Sequence, residues 1–447
     1  MALSKPLAAI ADVPWAALAA GDTVLIHWRP EPYKEKWVIC RQGTAEAPIT
    51  LRGVPGPEGQ LPVIDGDGAT TPAPLNFWNE VRGVIKIGGA NIPPDTMPRY
   101  ITIENLDIRS SRPPFTFTGR AHVTETYAIN AAAIYIEKGE NIIIRGSILH
   151  DSGNGLFIGS ANPNVSRDIL IERNYIYDNG NTGSGFEHNS YTEALGIVFQ
   201  FNHYGPLRAG ANGNNLKDRS AGLVVRYNWI ESGNRELDLV DAGDVVLLSD
   251  PHYRETRVYG NILIEPDGAG NRQIVHYGGD SAATANYRKG TLFFYNNTVV
   301  STRTDRTTLF RLSTNEQRSE SRNNIFYATA GGRTVSLLDA DGAIELSHNW
   351  IQPGWVRSFG DFRGAVSDDG TMMEGASPGF LSEAEQDYRL APESSAVDAG
   401  TPVGELAWQY VKHQSGEPRI SDGRIDLGAF EFSWIKDVPR ARHGRAW

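Results

Sequence analysis

The chain has 447 residues and a net charge of −11, from 42 basic and 53 acidic side chains. An acidic chain is a poor candidate for a general nucleic-acid binder, because phosphate binding needs a basic face. The single cysteine, Cys40, excludes an intramolecular disulfide and a zinc site built from several cysteines. No run of about 20 apolar residues is present, so we predict no membrane span.

The N-terminal segment 1–22 predicts a cap. The run VPWAALAAGDTVLI has the pattern of a short amphipathic helix that stops at Gly21 and is followed by the first strand. Such a helix would cover the end of a stacked core. The segment lacks the basic start that is typical of a signal peptide.

A short repeat runs through most of the chain. Alternating apolar residues surround an Asn, or once a Gly, and successive copies are 25 to 41 residues apart. The copies are centred on Asn105, Gly146, Asn174, Asn202, Asn228, Asn261, Asn297, Asn324 and Asn349. A tight minimum spacing with variable excess is typical of a solenoid with insertions. The short strand-like runs lack a helical period, so we predict an all-β, single-stranded right-handed parallel β-helix of roughly nine to eleven coils.

The repeated Asn is interpreted as scaffold. At a coil corner it tolerates the left-handed backbone conformation, and its amide can bond the Asn of the next coil to form a ladder. No linker divides the chain, so we predict a single domain over 1–447, with coils over 23–400 and a terminal coil and tail over 401–447. The last segment, RARHGRAW, is expected to be disordered.

Three insertions are expected to mark the ligand groove, namely 110–130, 204–214 and 266–289. Insertions of a solenoid lie outside its stacked core, so the first of them is predicted to be dispensable for folding. It carries aromatic, Arg and His residues that suit sugar or uronate binding.

The densest polar constellation lies on three successive strands, GFEHNSY, GANGNNLKDRSAG and NRELDLVDAGD. Leu216 is the apolar residue of the second strand, so period-2 alternation places Asn215, Lys217 and Arg219 on the outer face. The same argument places five further residues outside and gives His188 the opposite direction; the five are Glu187, Asn189, Tyr191, Glu236 and Asp238. Two cations on one strand face repel each other, and an anionic ligand would relieve that repulsion.

The strands HNSY, NNLKDRSAG and ELDLVDAG resemble those of bacterial right-handed β-helix proteins related to polysaccharide lyases, of the pectate lyase, chondroitinase B and alginate lyase type. Many of these proteins carry Gly-His-Asn-x-Tyr, then Lys-Ser-Arg-Ala, then Asp-Leu-Pro. This chain departs from that pattern at Glu187, Asp218 and Val240, which replace Gly, Ser and Pro.

The resemblance implies β-elimination of a uronic-acid polysaccharide. It places Lys217 and Tyr191, with His188 as a substitute, at the positions of proton transfer. It places Arg219 and Asn189 where the substrate carboxylate is neutralised. Some relatives use calcium bound by Asn and Glu, so Ca²⁺ remains an alternative here and no metal ligand is assigned. The predicted substrate-binding residues are Asn215, Asp238, Arg235, His203, Arg208, Tyr135 and Phe157.

Three alternatives stay open. The first is a glycoside hydrolase, which would use Glu236, Asp238, Asp241 and Asp244 as its carboxylates. The second is a uronate C5-epimerase, and the third is a non-catalytic carbohydrate-binding surface protein. The expected partner is an anionic polysaccharide or oligosaccharide, with no nucleic acid and no membrane. We expect a monomer that is secreted or periplasmic.

Overall fold

The regular structure of the chain is almost entirely β. A computed structural model describes residues 6–432, in which the one α-helix is Val245–Ser249. These residues form two units. Unit 1 contains the residues up to Val198 together with Tyr204–Gly222 and Ala242–Asp250, and unit 2 contains Phe199–His203, Leu223–Asp241 and the residues from Pro251 onward. The predicted tail RARHGRAW lies outside the described residues.

Unit 1 is built from three parallel sheets. Its first sheet contains Thr23–His27, Ile49–Val54, Arg99–Glu104, Glu140–Arg145 and Arg167–Glu172. The second contains Val63–Asp65, Asp107–Arg109, Ile148–His150 and Tyr175–Ile176. The third contains Trp37–Ile39, Gly83–Ile87, Ala132–Ile136, Asn154–Ile158, Ser190–Thr192 and Leu216–Asp218. Smaller sheets join Ala69–Thr70 to Thr116–Thr118 and Thr124–Thr126, and Asn76–Phe77 to Ala90–Ile92.

Unit 2 repeats this arrangement. Its first sheet contains Glu255–Tyr259, Thr291–Tyr295, Arg318–Arg322, Ala343–Ser347 and Ala365–Asp368. The second contains Trp229–Glu231, Ile262–Glu265, Thr298–Ser301, Ile325–Ala328, Trp350–Ile351 and Met373–Glu374. The third contains Leu237–Leu239, Gln273–Tyr277, Thr307–Leu312 and Val335–Leu338. Three further strands contain a boundary between the units, namely Leu195–Gln200, His203–Tyr204 and Ala221–Arg226.

The core of each unit is a stack of like residues in register. In unit 1, Ile101 pairs with Ile142 and Ile142 with Ile169, and all three side chains are buried. Each short strand buries apolar side chains only when the next coil covers them, which is why the repeat and not the single strand is the stable element. The predicted parallel β-helix is confirmed.

An asparagine ladder stabilises the corners of unit 2, as predicted. The amide of Asn228 donates to Asn261, that of Asn261 to Asn297, and that of Asn297 to Asn324, at 3.0 to 3.1 Å. All of these residues are fully buried. The left-handed backbone position, however, is usually the residue before the ladder Asn, as at Tyr227 and Asn296. The interpretation is therefore right about the amide, but only Asn105 and Gly146 among the nine predicted centres take the left-handed conformation themselves.

The predicted N-terminal helix is two 3-10 turns, Ile10–Asp12 and Trp15–Ala17. The helix does not continue because Leu18 is extended and its carbonyl accepts a hydrogen bond from Arg41 Nε at 2.9 Å. Trp15 nevertheless packs on Trp37, with ring centroids 5.1 Å apart. The segment contributes apolar cover to the first coil without a regular helix.

The insertion 110–130 is part of a buried cluster, contrary to the expectation that it lies outside the core. Phe117 and Tyr127 are buried and close over Lys36, whose Nζ lies 3.4 Å from the Phe117 ring centroid. The strand Thr116–Thr118 also pairs with Ala69–Thr70. Removing this insertion would uncover Lys36, so we withdraw the prediction that it is dispensable for folding.

The segment predicted to form the last coils forms antiparallel hairpins instead. The strands Phe380–Ser382 and Asp387–Leu390 pair with each other, as do Trp408–Val411 and Ser415–Pro418. Their apolar residues, including Tyr388 and Tyr410, join a cluster of unit 2 around Trp229 and Trp350. Parallel stacking ends at Met373–Glu374, because the Pro- and Gly-rich sequence that follows favours tight turns.

No helix within residues 6–432 has the length and apolar character needed to cross a membrane.

Candidate active site

The third sheet of unit 1 carries a row of aromatic side chains that leads to Lys217. Tyr135 is paired with Phe157, Phe157 with Tyr191, and Tyr191 with Lys217. Neighbouring strands lie about 4.8 Å apart. Each residue of the row is therefore one strand spacing from the next.

The predicted exposure of Lys217 on the central strand is wrong, because all three residues of the strand are buried. Leu216 and Asp218 are fully buried, whereas Lys217 keeps 7% of its surface exposed and Arg219 is half-buried. Asp218 accepts hydrogen bonds from Thr192 Oγ1 at 2.7 Å and from the Ser220 backbone N–H at 2.7 Å. Asp218, one of the departures from the resembling motif, thus holds a corner.

Tyr191 lies between the two cations. Arg219 Nε donates a hydrogen bond to the Tyr191 hydroxyl at 2.9 Å, and the guanidinium carbon lies 5.6 Å from the ring centroid. Lys217 Nζ lies 5.9 Å from the same centroid. The arrangement brings together an amine, a phenol and a guanidinium, which are three of the four groups that the sequence predicted to converge. The fourth, Asp238, belongs to unit 2.

His188 also reaches this cluster, although strand alternation pointed it the other way. The strand begins only at Ser190, so the alternation does not extend back to His188. Its ring meets the Tyr191 ring edge-on, with centroids 5.4 Å apart. His188 Nδ1 accepts the Asn214 backbone N–H at 2.9 Å, so the neutral ring carries its proton on Nε2.

Asn189 and Asn215 are not exposed, and this part of the prediction was wrong. Both side chains are fully buried. Asn179 Nδ2 donates to Asn189 Oδ1 at 2.9 Å, and Asn189 Nδ2 donates to Gly205 O at 3.0 Å and to Asn215 Oδ1. Their amides form a ladder between coils, so neither presents an amide to a ligand in this structure.

Tyr135 and Phe157 form a stacked pair, with centroids 5.2 Å apart, and Phe157 meets Tyr191 edge-on at 5.5 Å. Burial raises the pKa of Tyr135, and the nearby Arg82 opposes that shift. Arg82 lies over both rings. Our sequence analysis missed it because it lies before the strand, where alternation says nothing about direction.

In unit 2, Asp238 belongs to a buried hydrogen-bonded chain. Its Oδ1 contacts His276 Nδ1 at 2.7 Å and Arg235 Nη1 at 3.8 Å, and His276 Nε2 contacts Ser313 Oγ at 2.9 Å. Asp238 and His276 are each 2% exposed. Burial lowers the pKa of His276, although Asp238 opposes that shift. The Asp238 carboxylate, predicted to lie outside, is thus buried and already bonded to His276.

Two further predicted binding residues have other partners. Arg208 pairs with Asp151 at 2.6 Å and with Asp178 at 3.4 Å, in a cleft of about 510 Å³ beside the second sheet of unit 1. It therefore does not join the row on the third sheet. In unit 2, His203 Nε2 contacts Glu231 Oε1 at 3.3 Å, and its ring stacks on that of His413.

The acidic side chains considered for a glycoside hydrolase are buried or have structural roles instead. Glu236, predicted to point outward, is fully buried. Asp241 accepts the backbone N–H groups of Asp280 and Ser281 at 2.8 and 3.3 Å. In unit 1, Asp244 caps the helix Val245–Ser249 by accepting from the Val246 N–H.

No cluster of three or more His, Cys, Asp or Glu side chains with the arrangement of a metal site is found between residues 6 and 432.

Comparisons with known proteins agree with the fold. No family model and no curated protein matches the chain. Among solved structures, the crystal structure of pectate lyase Pel9A matches with a TM-score of 0.53 and 13% identity, over 94% of this chain and 90% of that one. An alginate lyase from Paenibacillus sp. str. FPU-7 has a TM-score of 0.46 and 13% identity, over 74% of this chain and 92% of the other.

A mannuronic acid-specific polysaccharide family 6 lyase from human gut microbiota has a TM-score of 0.40 and 11% identity, over 81% of this chain and 79% of that one. At this level of identity the match to Pel9A shows a shared fold. The chemistry of this chain has to be argued from its own residues.

Proposed function

We propose that this protein is a polysaccharide lyase that cleaves a uronic-acid-containing polysaccharide by β-elimination. The observation that carries the proposal is the contact of Arg219 Nε with the Tyr191 hydroxyl at 2.9 Å, beside Lys217 on the paired strand. The solved pectate lyase that shares this fold supports the reaction class without identifying the substrate.

The reaction removes a weakly acidic proton from C5 of the uronate, next to its carboxylate. Negative charge then builds up on that carboxylate, so a preorganised cation must lie against it. Arg219 supplies the cation. A guanidinium carries five N–H donors, so holding Tyr191 through Nε does not exhaust its capacity.

Lys217, as the neutral amine, takes the C5 proton and becomes an ammonium. The C–H electron pair forms the C4–C5 double bond, and the C4–O4 bond breaks. Tyr191 gives its proton to the departing O4, assisted by the hydrogen bond from Arg219, which stabilises the phenolate that remains. His188 is the substitute for Tyr191 in this step, since its ring contacts the same phenol.

The test is absorbance of the unsaturated product over a panel of purified uronic polysaccharides, namely alginate, glucuronan, pectin and glycosaminoglycans. On the substrate that responds, Lys217→Ala should lower kcat by about 10²- to 10⁴-fold, the usual contribution of a general base. Lys34→Ala is the matched control, because Lys34 is exposed and its Nζ contacts the Asp67 carbonyl.

Wild-type turnover in a folded Lys217→Ala would disprove the assigned base. Uptake of solvent deuterium at C5 without any absorbance would indicate the epimerase, which shares the first proton transfer. Binding of the polymer without either signal would leave a non-catalytic binding protein.

A further inference from the structure

The aromatic row of unit 1 continues away from Lys217. Lys86 is paired with Tyr135 on the next strand, and Trp78, near Lys86, is 38% exposed. Lys86 is buried and its charge is satisfied, because Nζ donates to the carbonyls of Gly88 and Gly89 and pairs with Glu137 at 2.9 Å. At the far end of the row, Lys86 and Glu137 therefore balance each other's charge, and the Trp78 ring is exposed whereas Tyr135 is buried.

Arg82, unlike Lys86, has no carboxylate partner for its charge among residues 6–432. Its guanidinium carbon lies 4.8 Å from the Tyr135 centroid and 4.9 Å from the Phe157 centroid. Its Nε is buried without a hydrogen-bond partner, and across residues 6–432 no carboxylate forms an ion pair with it. In the same unit, Arg112 and Arg208 each pair with Asp151, at 2.8 and 2.6 Å.

An unpaired, partly desolvated guanidinium costs free energy, and contacts with ring faces return only part of that cost. A carboxylate from outside the chain would remove this cost by pairing with the guanidinium, because Arg binds carboxylates with two parallel N–H donors. The stacked rings of Tyr135 and Phe157 hold the guanidinium in place, so little conformational entropy is lost when an anion binds.

The position along the row decides which carboxylate fits. Arg82 lies over the second and third strands from Lys217, so the two cations are about 10–14 Å apart along the sheet. A pyranose unit of a linear polymer is similar in length to one strand spacing. A carboxylate at Arg82 would therefore belong to a sugar two or three units from the one that reacts.

We propose that Arg82, with Tyr135 and Phe157 beneath it, is a distal subsite that binds the carboxylate of a second uronate of the same chain. The proposal rests on the proposed function, because it takes Lys217 as the reacting end. The substrate class is thereby narrowed to polymers with uronates two or three units apart. The subsite selects the substrate by charge and has no part in the proton transfers.

The test measures binding and kinetics separately. Calorimetric titration compares a uronate pentasaccharide with its methyl ester, whose carboxylates are neutral. In Arg82→Gln, affinity for the charged pentasaccharide should fall about 10- to 100-fold, which is the usual contribution of a hydrogen bond to a charged group. Affinity for the methyl ester should not change. On the polymer, KM should rise and kcat should stay the same, because the lost contact is distant from the reacting bond.

Arg167→Gln is the matched control, since Arg167 lies on the first sheet and its side chain is 38% exposed. Arg82→Lys keeps the charge and should recover part of the affinity. It serves as the second variant if circular dichroism shows that Arg82→Gln does not fold.

An unchanged affinity for the charged pentasaccharide in Arg82→Gln, with an active wild type, overturns the proposed subsite and leaves the proposed lyase activity standing. Equal loss for acid and ester shows that Arg82 only supports the rings. A wild type that neither binds uronates nor forms product overturns both proposals.

Discussion

Glu236 and Glu265 form a buried carboxyl pair in unit 2 that should make folding sensitive to pH. Both side chains are fully buried. Arg303 Nη1 donates to Glu265 at 2.8 Å, whereas neither oxygen of Glu236 has a hydrogen-bond partner between residues 6 and 432. Burial, and then repulsion by Glu265, raises the pKa of Glu236 well above its ordinary value. Burial also raises the pKa of Glu265, to about 7.

A raised carboxyl pKa stabilises the folded protein below the unfolded pKa, and that stability is lost as pH rises toward the folded pKa. Above the ordinary glutamate pKa of about 4.3 the unfolded chain releases the Glu236 proton, whereas burial raises the pKa of Glu236 in the folded chain and keeps that proton bound to higher pH. The free energy of unfolding then falls as pH rises toward the raised pKa of folded Glu236, with a limiting slope of about 1.4 kcal/mol per pH unit for this one group.

Glu236→Gln keeps the shape and removes the titration. The free energy of unfolding of the variant, relative to the wild type, should therefore increase as pH rises above about 5, by no more than about 1.4 kcal/mol per pH unit. Denaturant unfolding at several pH values measures it, with hydrogen exchange of the strands Leu237–Leu239 and Ile262–Glu265 reporting on unit 2. Glu345→Gln is the control, because Glu345 is 49% exposed on the first sheet of that unit. A constant difference between variant and wild type across this range would refute the argument.

Two other predictions concern unit 1. Tyr191→Phe keeps the ring contact with Phe157 and loses only the hydroxyl that accepts the hydrogen bond from Arg219. The kcat should therefore fall about 10²- to 10⁴-fold with little change in KM. A higher KM at unchanged kcat would contradict the role of Tyr191 as proton donor. Burial lowers the pKa of Lys36 to about 7, so above pH 7 the folded chain has released a proton that the unfolded chain still holds, and unit 1 should become more stable as pH rises toward the ordinary lysine pKa. Hydrogen exchange of the strand Thr116–Thr118 measures this gain, and Lys36→Met should abolish it. A gain that persists in the variant would show another cause.

The cluster of Lys217, Tyr191 and Arg219 could be predicted where a strand had already begun. Alternation has a period of two and depends only on neighbouring residues, so Leu216 indicated that Lys217 and Arg219 share a face, and both lie beside Tyr191. It did not indicate that Lys217 is buried. The recurring Asn could be read in the same way, since one residue type at one corner position repeats in coil after coil. Both are local rules that the solenoid applies many times.

The errors lie at corners and in insertions. Asn189 precedes its strand, and its amide is taken up by Asn179, Asn215 and a backbone carbonyl of another turn. Glu236 is buried for the same reason, at the start of Leu237–Leu239. Alternation does not apply outside the strand, and stacking of the next coil decides which way such a side chain points.

The sequence by itself therefore determined the class of fold, the repeat and the face that Lys217 shares with Arg219, because these depend on patterns of adjacent residues. Only the tertiary structure brought His188 to Tyr191 and placed Arg82 over Tyr135 and Phe157. It also turned the segment after Met373–Glu374 into hairpins. Those outcomes depend on contacts between residues far apart in the chain, and the free energy of such contacts is set by packing that no local pattern contains.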